Sequence, residues 1–317
     1  MDVPTIDLKT ARDDADALKL LDAACRDHGF FIMINHGIDE VIDAMWHVSR
    51  EFFNRSAKFK RSVLRSADQP LGYYDRELTK RLRDQKEVFD YMEPRDGGDR
   101  NQWPAGEIEF RSTLENFFRE ASGIAATTLD LVYWALGREI EDLPKGDPRT
   151  SNVRLNYYPV NDPLEPGLQH TVAALGDMAL HHHTDPGILT LLIQDMTGGL
   201  QTLSQDEGWI DVPPVPGSIV VNLGDALQVW SNDSYKAAVH RVLPMSSIGA
   251  VERFSTPYFF FSPHKEAILE PIPTLSEEAP RYRSFTWQEY IKGRVDDNYA
   301  DLGEDDIQIS QFRLTGS

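Results

Sequence analysis

Residues 179–192 read Ala179-Leu180-His181-His182-His183-Thr184-Asp185-Pro186-Gly187-Ile188-Leu189-Thr190-Leu191-Leu192: three histidines and an aspartate, a Pro-Gly turn, then an apolar run. On an extended backbone residues two apart project to one face, so His183 and Asp185 point together while Thr184 points away. A third donor must come from elsewhere. His240 stands in Ala238-Val239-His240-Arg241-Val242, an alternating context that holds an imidazole on one face of a strand. Two histidines and one carboxylate on a β frame form the facial triad that selects non-haem Fe(II) and keeps coordination positions open. Alone, His-x-Asp is a weak signal, and His181 shares the parity of His183.

The surroundings are rich in β signals. From Asn152 to Phe261 short runs of Val, Ile, Leu, Phe and Tyr are punctuated by Gly, Pro, Asn and Asp, as in antiparallel barrels and sandwiches. The expected strands are Asn152–Tyr158, Ile188–Gln194, Leu200–Ser204, Trp209–Val212, Ser218–Asn222, Ala237–Val242 and Phe254–Phe261. Gly198-Gly199, Pro216-Gly217 and Gly224-Asp225 read as turns between them.

Upstream the texture is helical. Leu18, Leu21 and Cys25 share a face between Asp13 and Arg26 with Gly29 as a stop, and Val41, Met45, Val48 and Phe52 repeat the pattern. A longer stripe runs from Phe110 to Leu131. Val3–Leu8 and Phe30–Ile34 read as strands, and Leu71–Met92 as an irregular or mobile segment because its aromatics and charges show no period. A last helix is expected from Thr286 to about Arg294, followed by a loose acidic tail. The layout is one catalytic unit, 1–317: a helix-rich region, 1–150, packed on a β core, 151–265, then a C-terminal helix and tail, 266–317.

Composition limits the partners. Of 317 residues, 32 are Lys or Arg and 51 Asp or Glu, a net charge of −19 that opposes docking on nucleic acid or an anionic membrane. Cys25 is the only cysteine, which excludes an internal disulfide and any thiolate-rich metal site and fits a reducing cytosol. Neither a signal peptide nor a long apolar span is visible, so a cytoplasmic, monomeric protein acting on a small molecule is expected.

A series of motifs then occurs in one order: Asp27-His28-Gly29-Phe30-Phe31, Asn35-His36-Gly37-Ile38, Asn156-Tyr157-Tyr158-Pro159, His183-Thr184-Asp185, Gly198-Gly199-Leu200-Gln201, Trp209-Ile210-Asp211-Val212-Pro213, Val221-Asn222-Leu223-Gly224-Asp225, His240-Arg241-Val242 and Arg253-Phe254-Ser255. Over roughly Val3 to Tyr299 the chain resembles the Fe(II)/2-oxoglutarate-dependent dioxygenases of the isopenicillin N synthase-like group. The resemblance implies an α+β fold: a double-stranded β-helix, or distorted jelly-roll, core with flanking N-terminal helices and a C-terminal helix. It places Fe(II) on His183, Asp185 and His240, and 2-oxoglutarate on Arg253 and Ser255, with Asn156 and Tyr158 helping to orient co-substrate or substrate. A guanidinium and a hydroxyl two apart on a strand suit a carboxylate. Two departures stand out: an insert from Pro159 to Leu180, expected to reshape the pocket rim, and a lengthened His240–Arg253 connection.

The implied reaction uses O2 and 2-oxoglutarate, releases succinate and CO2, and oxidises a C–H bond by hydroxylation, desaturation or ring closure, with ascorbate as an accessory reductant. Secondary-metabolite biosynthesis is the implied setting. A 2-oxoglutarate-independent iron oxidase of the same family, a non-catalytic binding protein on this fold and a zinc hydrolase are the alternatives. For the substrate, Tyr73, Tyr74, Arg76, Lys80, Arg81 and Arg83 form an aromatic and basic island in an acidic chain. Together with Tyr290 and Arg294 of the last helix, they are the expected contacts to a carboxylate-bearing molecule.

Overall fold

The structure, a computed structural model, describes residues 3–66, 68–79, 82–93, 100–138, 141, 143–176, 178–260, 266–276, 278–295 and 308–314. In chain order the N-terminal part comprises β1 (Thr5–Asp7), α1 (Ala15–Asp27), β2 (Phe30–Ile34), α2 (Asp39–Phe53), α3 (Ala57–Lys60), β3 (Gly72–Tyr74), β4 (Leu78–Thr79), β5 (Leu82–Arg83), β6 (Glu87–Met92) and α4 (Ile108–Ala135). Then follow β7 (Asn152–Tyr158), α5 (Pro166–Gln169), β8 (Leu180–His183), β9 (Leu189–Gln194), β10 (Leu200–Ser204), β11 (Gly208–Asp211), β12 (Ile219–Leu223), α6 (Asp225–Trp230), β13 (His240–Val242) and β14 (Arg253–Phe260). The chain closes with β15 (Ile268–Leu269), β16 (Phe285–Thr286) and α7 (Trp287–Val295).

An eight-stranded sheet, ordered β1-β2-β12-β9-β14-β7-β6-β3, lies across from a four-stranded sheet, β11-β10-β13-β8. This is the expected jelly roll. Period-2 alternation sorts the large sheet's side chains between its faces. On β2, Phe31 and Met33 join the core beneath the helices, whereas Phe30 and Ile32 join a second cluster between the sheets with Leu200, Val220 and Val242. Leu189, Leu191 and Ile193 of β9 face the helices too, which leaves Thr190 and Leu192 for the interior cavity. α4 covers the outer face because Phe110, Leu114, Phe117, Ala121, Ala125 and Val132 recur at helical spacing and are all buried.

Gly29 shows how the N-terminal part reaches the site. Its φ of +68° suits glycine, and a Cβ there would lie 2.4 Å from the Lys236 carbonyl. The turn from α1 into β2 therefore presses directly on the segment leading to His240.

Four expectations change. Leu71–Met92 is not irregular: β3 and β6 extend the large sheet, and the period was hidden because several of its charged residues turn inward and pair. The strand expected over Ala237–Val242 forms only at His240–Val242. Gly224-Asp225 opens α6 rather than a turn. The end of the tail, Ile309–Phe312, is a docked 3-10 turn with Ile309 and Phe312 buried; residues 301–307 lie outside those described. Among the described residues no helix is long and apolar enough to cross a membrane.

Candidate metal and co-substrate site

Antiparallel pairing of β13 with β8 sets His240 directly opposite His183, with ring centroids 4.3 Å apart. Asp185 lies past the end of β8, in the connection to β9, so the two-residue spacing works across a strand end rather than along a strand. Its Oδ1 is 3.7 Å from His183 Nε2 and 3.9 Å from His240 Nε2. One donor atom from each residue falls within 4.8 Å of the others. His181 turns towards Asp84, 3.7 Å away, and His182 lies against Trp209 on the other side of the strand.

The neighbours of this trio suit a divalent cation. His183 Nδ1–H donates to the His181 carbonyl and His240 Nδ1–H to the Ala238 carbonyl, both at 2.9 Å, which leaves each Nε2 lone pair directed at Asp185. Asp185 divides its oxygens: Oδ2 accepts from Thr190 Oγ1 at 2.6 Å and Asn222 Nδ2 at 2.8 Å, while Oδ1 faces the imidazoles. Burial by itself would raise this carboxyl, but His240 and His183 in their protonated form, with the Thr190 and Asn222 donors, outweigh it and hold it below the ordinary carboxylate value. With the imidazoles neutral, the trio instead offers a cation one anionic oxygen and two lone pairs.

Beside the trio, β7 and β14 pair so that Arg253 opposes Tyr158 and Ser255 opposes Asn156. Arg253 is buried; its Nε donates to the Gly198 carbonyl at 2.9 Å and its Nη1 to Ser255 Oγ at 3.2 Å, and the guanidinium lies 5.0 Å from the Tyr158 ring centre. Among the described residues no carboxylate pairs with it. A buried guanidinium without an anion is costly, and a ligand carboxylate would neutralise it. The lengthened His240–Arg253 connection does not disturb this arrangement, because it folds into a 3-10 turn at Met245–Ile248 and delivers Arg253 to the start of β14.

Comparison with known proteins agrees with this geometry. The 2OG-Fe(II) oxygenase superfamily profile matches residues 149–262, and that of the non-haem dioxygenase in morphine synthesis N-terminal region matches residues 3–106. Gibberellin 2-beta-dioxygenase 4 of Arabidopsis thaliana is 32% identical over 316 residues, covering 95% of this chain and 94% of that protein. The chain belongs to the 2OG-Fe(II) oxygenase superfamily. Its structural relatives include the dioxygenase for auxin oxidation in rice, at TM-score 0.77 and 25% identity over 99% of this chain and 100% of that one. JOX2 in complex with 2OG, Fe and JA aligns at TM-score 0.74 and 27% identity, over 92% and 84% of the respective chains. The protein is a 2-oxoglutarate-dependent dioxygenase, an oxidoreductase that uses Fe(II), 2-oxoglutarate and O2.

In this oxygenase the His183–Asp185–His240 trio and the Arg253 cluster open into one cavity of about 440 Å³. The described residues of the expected substrate island, Tyr73, Tyr74, Arg76 and Arg83, do not line it. Tyr73 is buried among aromatics and donates its hydroxyl to Glu87 at 2.7 Å; Tyr74 lies under the Arg65 guanidinium; Arg76 pairs with Asp75. Arg83 is fully buried and binds Asp162 through both Nη atoms, at 2.7 and 2.5 Å, while its backbone pairs with the strand-like stretch at Ala174–Gly176. It therefore staples the 159–180 insert to β5. Lys80 and Arg81 lie outside the described residues. Tyr290 is buried behind the cavity wall, to which α7 contributes Trp287 and Ile291 instead, and the Arg294 side chain is outside those described.

Besides Asp185 and Arg253, the charged groups among the described residues that line the cavity are Arg65, Glu77, Lys86, Asp90 and Arg154. Arg154 Nε donates to Asp90 at 2.7 Å and its Nη1 to Glu77 at 2.9 Å; Arg65 bonds both carboxylates, and Lys86 reaches Glu77 and Asp84 at 3.0 Å. Burial would raise the Glu77 carboxyl, yet Arg154, Lys86 and Arg65 hold it well below the usual range. Arg154 had a legible signal, since it shares strand parity with Asn156 and Tyr158. The others had none, being assembled from separate segments. Replacing Arg83 by Ala is expected to cost at most about 3 kcal/mol of stability, because Asp162 stays partly open to water, and to leave the KM for substrate unchanged; chemical denaturation and steady-state kinetics check both.

Proposed function

We propose that the enzyme oxidises an unactivated C–H bond of a small, carboxylate-bearing natural-product intermediate, with His183, Asp185 and His240 holding the iron and Arg253 and Ser255 holding the distal carboxylate of 2-oxoglutarate. The observation that carries this reading is the buried Arg253 guanidinium, lacking a carboxylate among the described residues, in the same cavity as the His-Asp-His trio. Bound Fe(II) with 2-oxoglutarate and O2 supplies the C–H oxidant and yields succinate and CO2. The chain's own part is positional. Thr190 and Asn222 fix which Asp185 oxygen faces the metal, Asn156 supports Ser255 at 3.4 Å, and the cavity walls keep water from a reactive centre.

For the substrate carboxylate the supporting residue is Arg154 rather than Arg76 or Arg83, because it lines the cavity and they do not. Its side chain is 22% exposed against 2% for Arg65 and 4% for Lys86, and it stands on the cavity face of β7 two residues before Asn156. Asp90 and Glu77 hold its fork in one orientation. We also read the protein as a monomeric cytosolic enzyme without nucleic-acid or membrane partners, in keeping with its net charge of −19 and a single, buried, free cysteine.

A metabolite screen scored by substrate-dependent succinate formation tests the reaction. Arg154→Gln should then lower kcat/KM for the substrate by about 1.5–3 kcal/mol, tenfold or more, while the KM for 2-oxoglutarate and the iron content stay unchanged. Equal kinetics for an accepted acid and its amide would remove the carboxylate from the reading.

A further inference from the structure

Because Asp185 lies beyond the end of β8, something other than strand pairing must hold it. The backbone of α6 does part of this: Asp225 N–H donates to the Asp185 carbonyl at 2.8 Å, Ala226 N–H to Gly187 at 3.1 Å and Gly224 N–H to Ile188 at 2.9 Å. Contact is close enough that a Cβ on Gly224 would sit 2.2 Å from the Gly187 carbonyl oxygen. Thr190 and Asn222 fix the Asp185 carboxylate itself, and the Asp225 side chain holds the residue before it. Asp225 Oδ2 accepts from Thr184 Oγ1, the residue between His183 and Asp185, at 3.0 Å, and also from the Tyr290 hydroxyl of α7.

Tyr290 is fully buried, with the Trp287, Phe285 and Phe312 rings around it. Trp287, Tyr290 and Ile291 occupy one face of α7 at i, i+3 and i+4. Two of them, Trp287 and Ile291, line the cavity. The same helix face thus touches the substrate space with two residues and, with the third, a carboxylate bonded to Thr184, the residue between His183 and Asp185.

We propose that Tyr290 and Asp225 are positioning residues that couple the seating of α7, the C-terminal wall of the substrate cavity, to the placement of Asp185 at the metal. This rests on His183, Asp185 and His240 being the metal ligands. Coupling of this kind is reciprocal. A seated α7 holds Thr184 and Asp185 in the binding geometry, and metal at Asp185 favours the seated helix.

The test uses the full-length chain freed of metal, with Co(II) alone as the probe. Tyr290→Phe keeps the ring packing and removes only the hydroxyl; Asp225→Asn is a second variant that tests the same link from the other side. In each, Co(II) affinity should fall by about tenfold, as when a group orienting a ligand is lost, while the thermal midpoint without metal moves little. In the wild type Co(II) should slow hydrogen exchange at the α7 amides, and in both variants that protection should disappear. Wild-type Co(II) affinity together with retained α7 protection in both variants overturns the coupling. If the wild type and His183→Ala bind Co(II) equally, the ligand assignment fails and the coupling with it.

Discussion

His183→Ala is expected to lose turnover completely and to bind Fe(II) or Co(II) at least about a hundredfold more weakly, since changes to groups that merely orient ligands already cost about 10–100-fold. Two donors would remain, Asp185 and His240, with no third among the described residues: His181 turns towards Asp84 and His182 towards Trp209. The fold should survive. The His183 side chain is 25% exposed at the end of β8 and belongs to neither apolar core. Circular dichroism and thermal midpoint without metal should match the wild type, with anomalous scattering or metal titration reporting the loss. Stoichiometric metal in this variant, or metal held by His181 and His182, would sink the assignment.

Arg253→Met should show two effects of opposite sign. Affinity for 2-oxoglutarate is expected to fall by about 2–5 kcal/mol, from roughly thirtyfold to several thousandfold, because a desolvated charge pair is removed. Stability without ligand should stay level or rise, since a buried guanidinium lacking a carboxylate among the described residues gives way to an apolar side chain of similar reach. Wild type at a hundred times its Kd should gain about 2.7 kcal/mol from 2-oxoglutarate, and the Met variant should gain less than about 1 kcal/mol at that concentration. Arg253→Lys keeps the charge without the planar fork and should fall between. A Met variant with normal 2-oxoglutarate kinetics and a collapsed thermal midpoint would make Arg253 a structural residue only.

How far each element could be read depended on whether its signal was local. Asn152–Tyr158 and Leu200–Ser204 were legible to the residue, because alternation and flanking turn residues are properties of the segment itself. The longer helices of the N-terminal part, α1, α2 and α4, were legible from an equally local signal, the helical spacing of their apolar residues. Leu71–Met92 was not: Glu77, Lys86 and Asp90 look like solvated charges until Arg65 and Arg154 arrive from elsewhere to neutralise them. The described cations of the basic island lie away from the cavity for a related reason. Arg83 finds Asp162 79 residues away, and Arg76 finds Asp75 beside it, so neither joins the cavity wall as Arg154 does.

By itself, then, the amino-acid sequence pointed to the pair His183 and Asp185 with His240 through spacing and, through the motif order that carries the family resemblance, to the jelly-roll core and to Arg253, Ser255, Asn156 and Tyr158. That Asp185 lies past a strand end, and that β14 sets Arg253 against Tyr158 and Ser255 against Asn156, came from the fold. Tertiary structure alone decided which Asp185 oxygen faces the histidines, which cations line the cavity, and that Asp225 joins the ligand segment to α7 through Thr184 and Tyr290. Those are relations between segments far apart in the chain, and their physical basis, burial and mutual neutralisation, exists only once the segments have packed together.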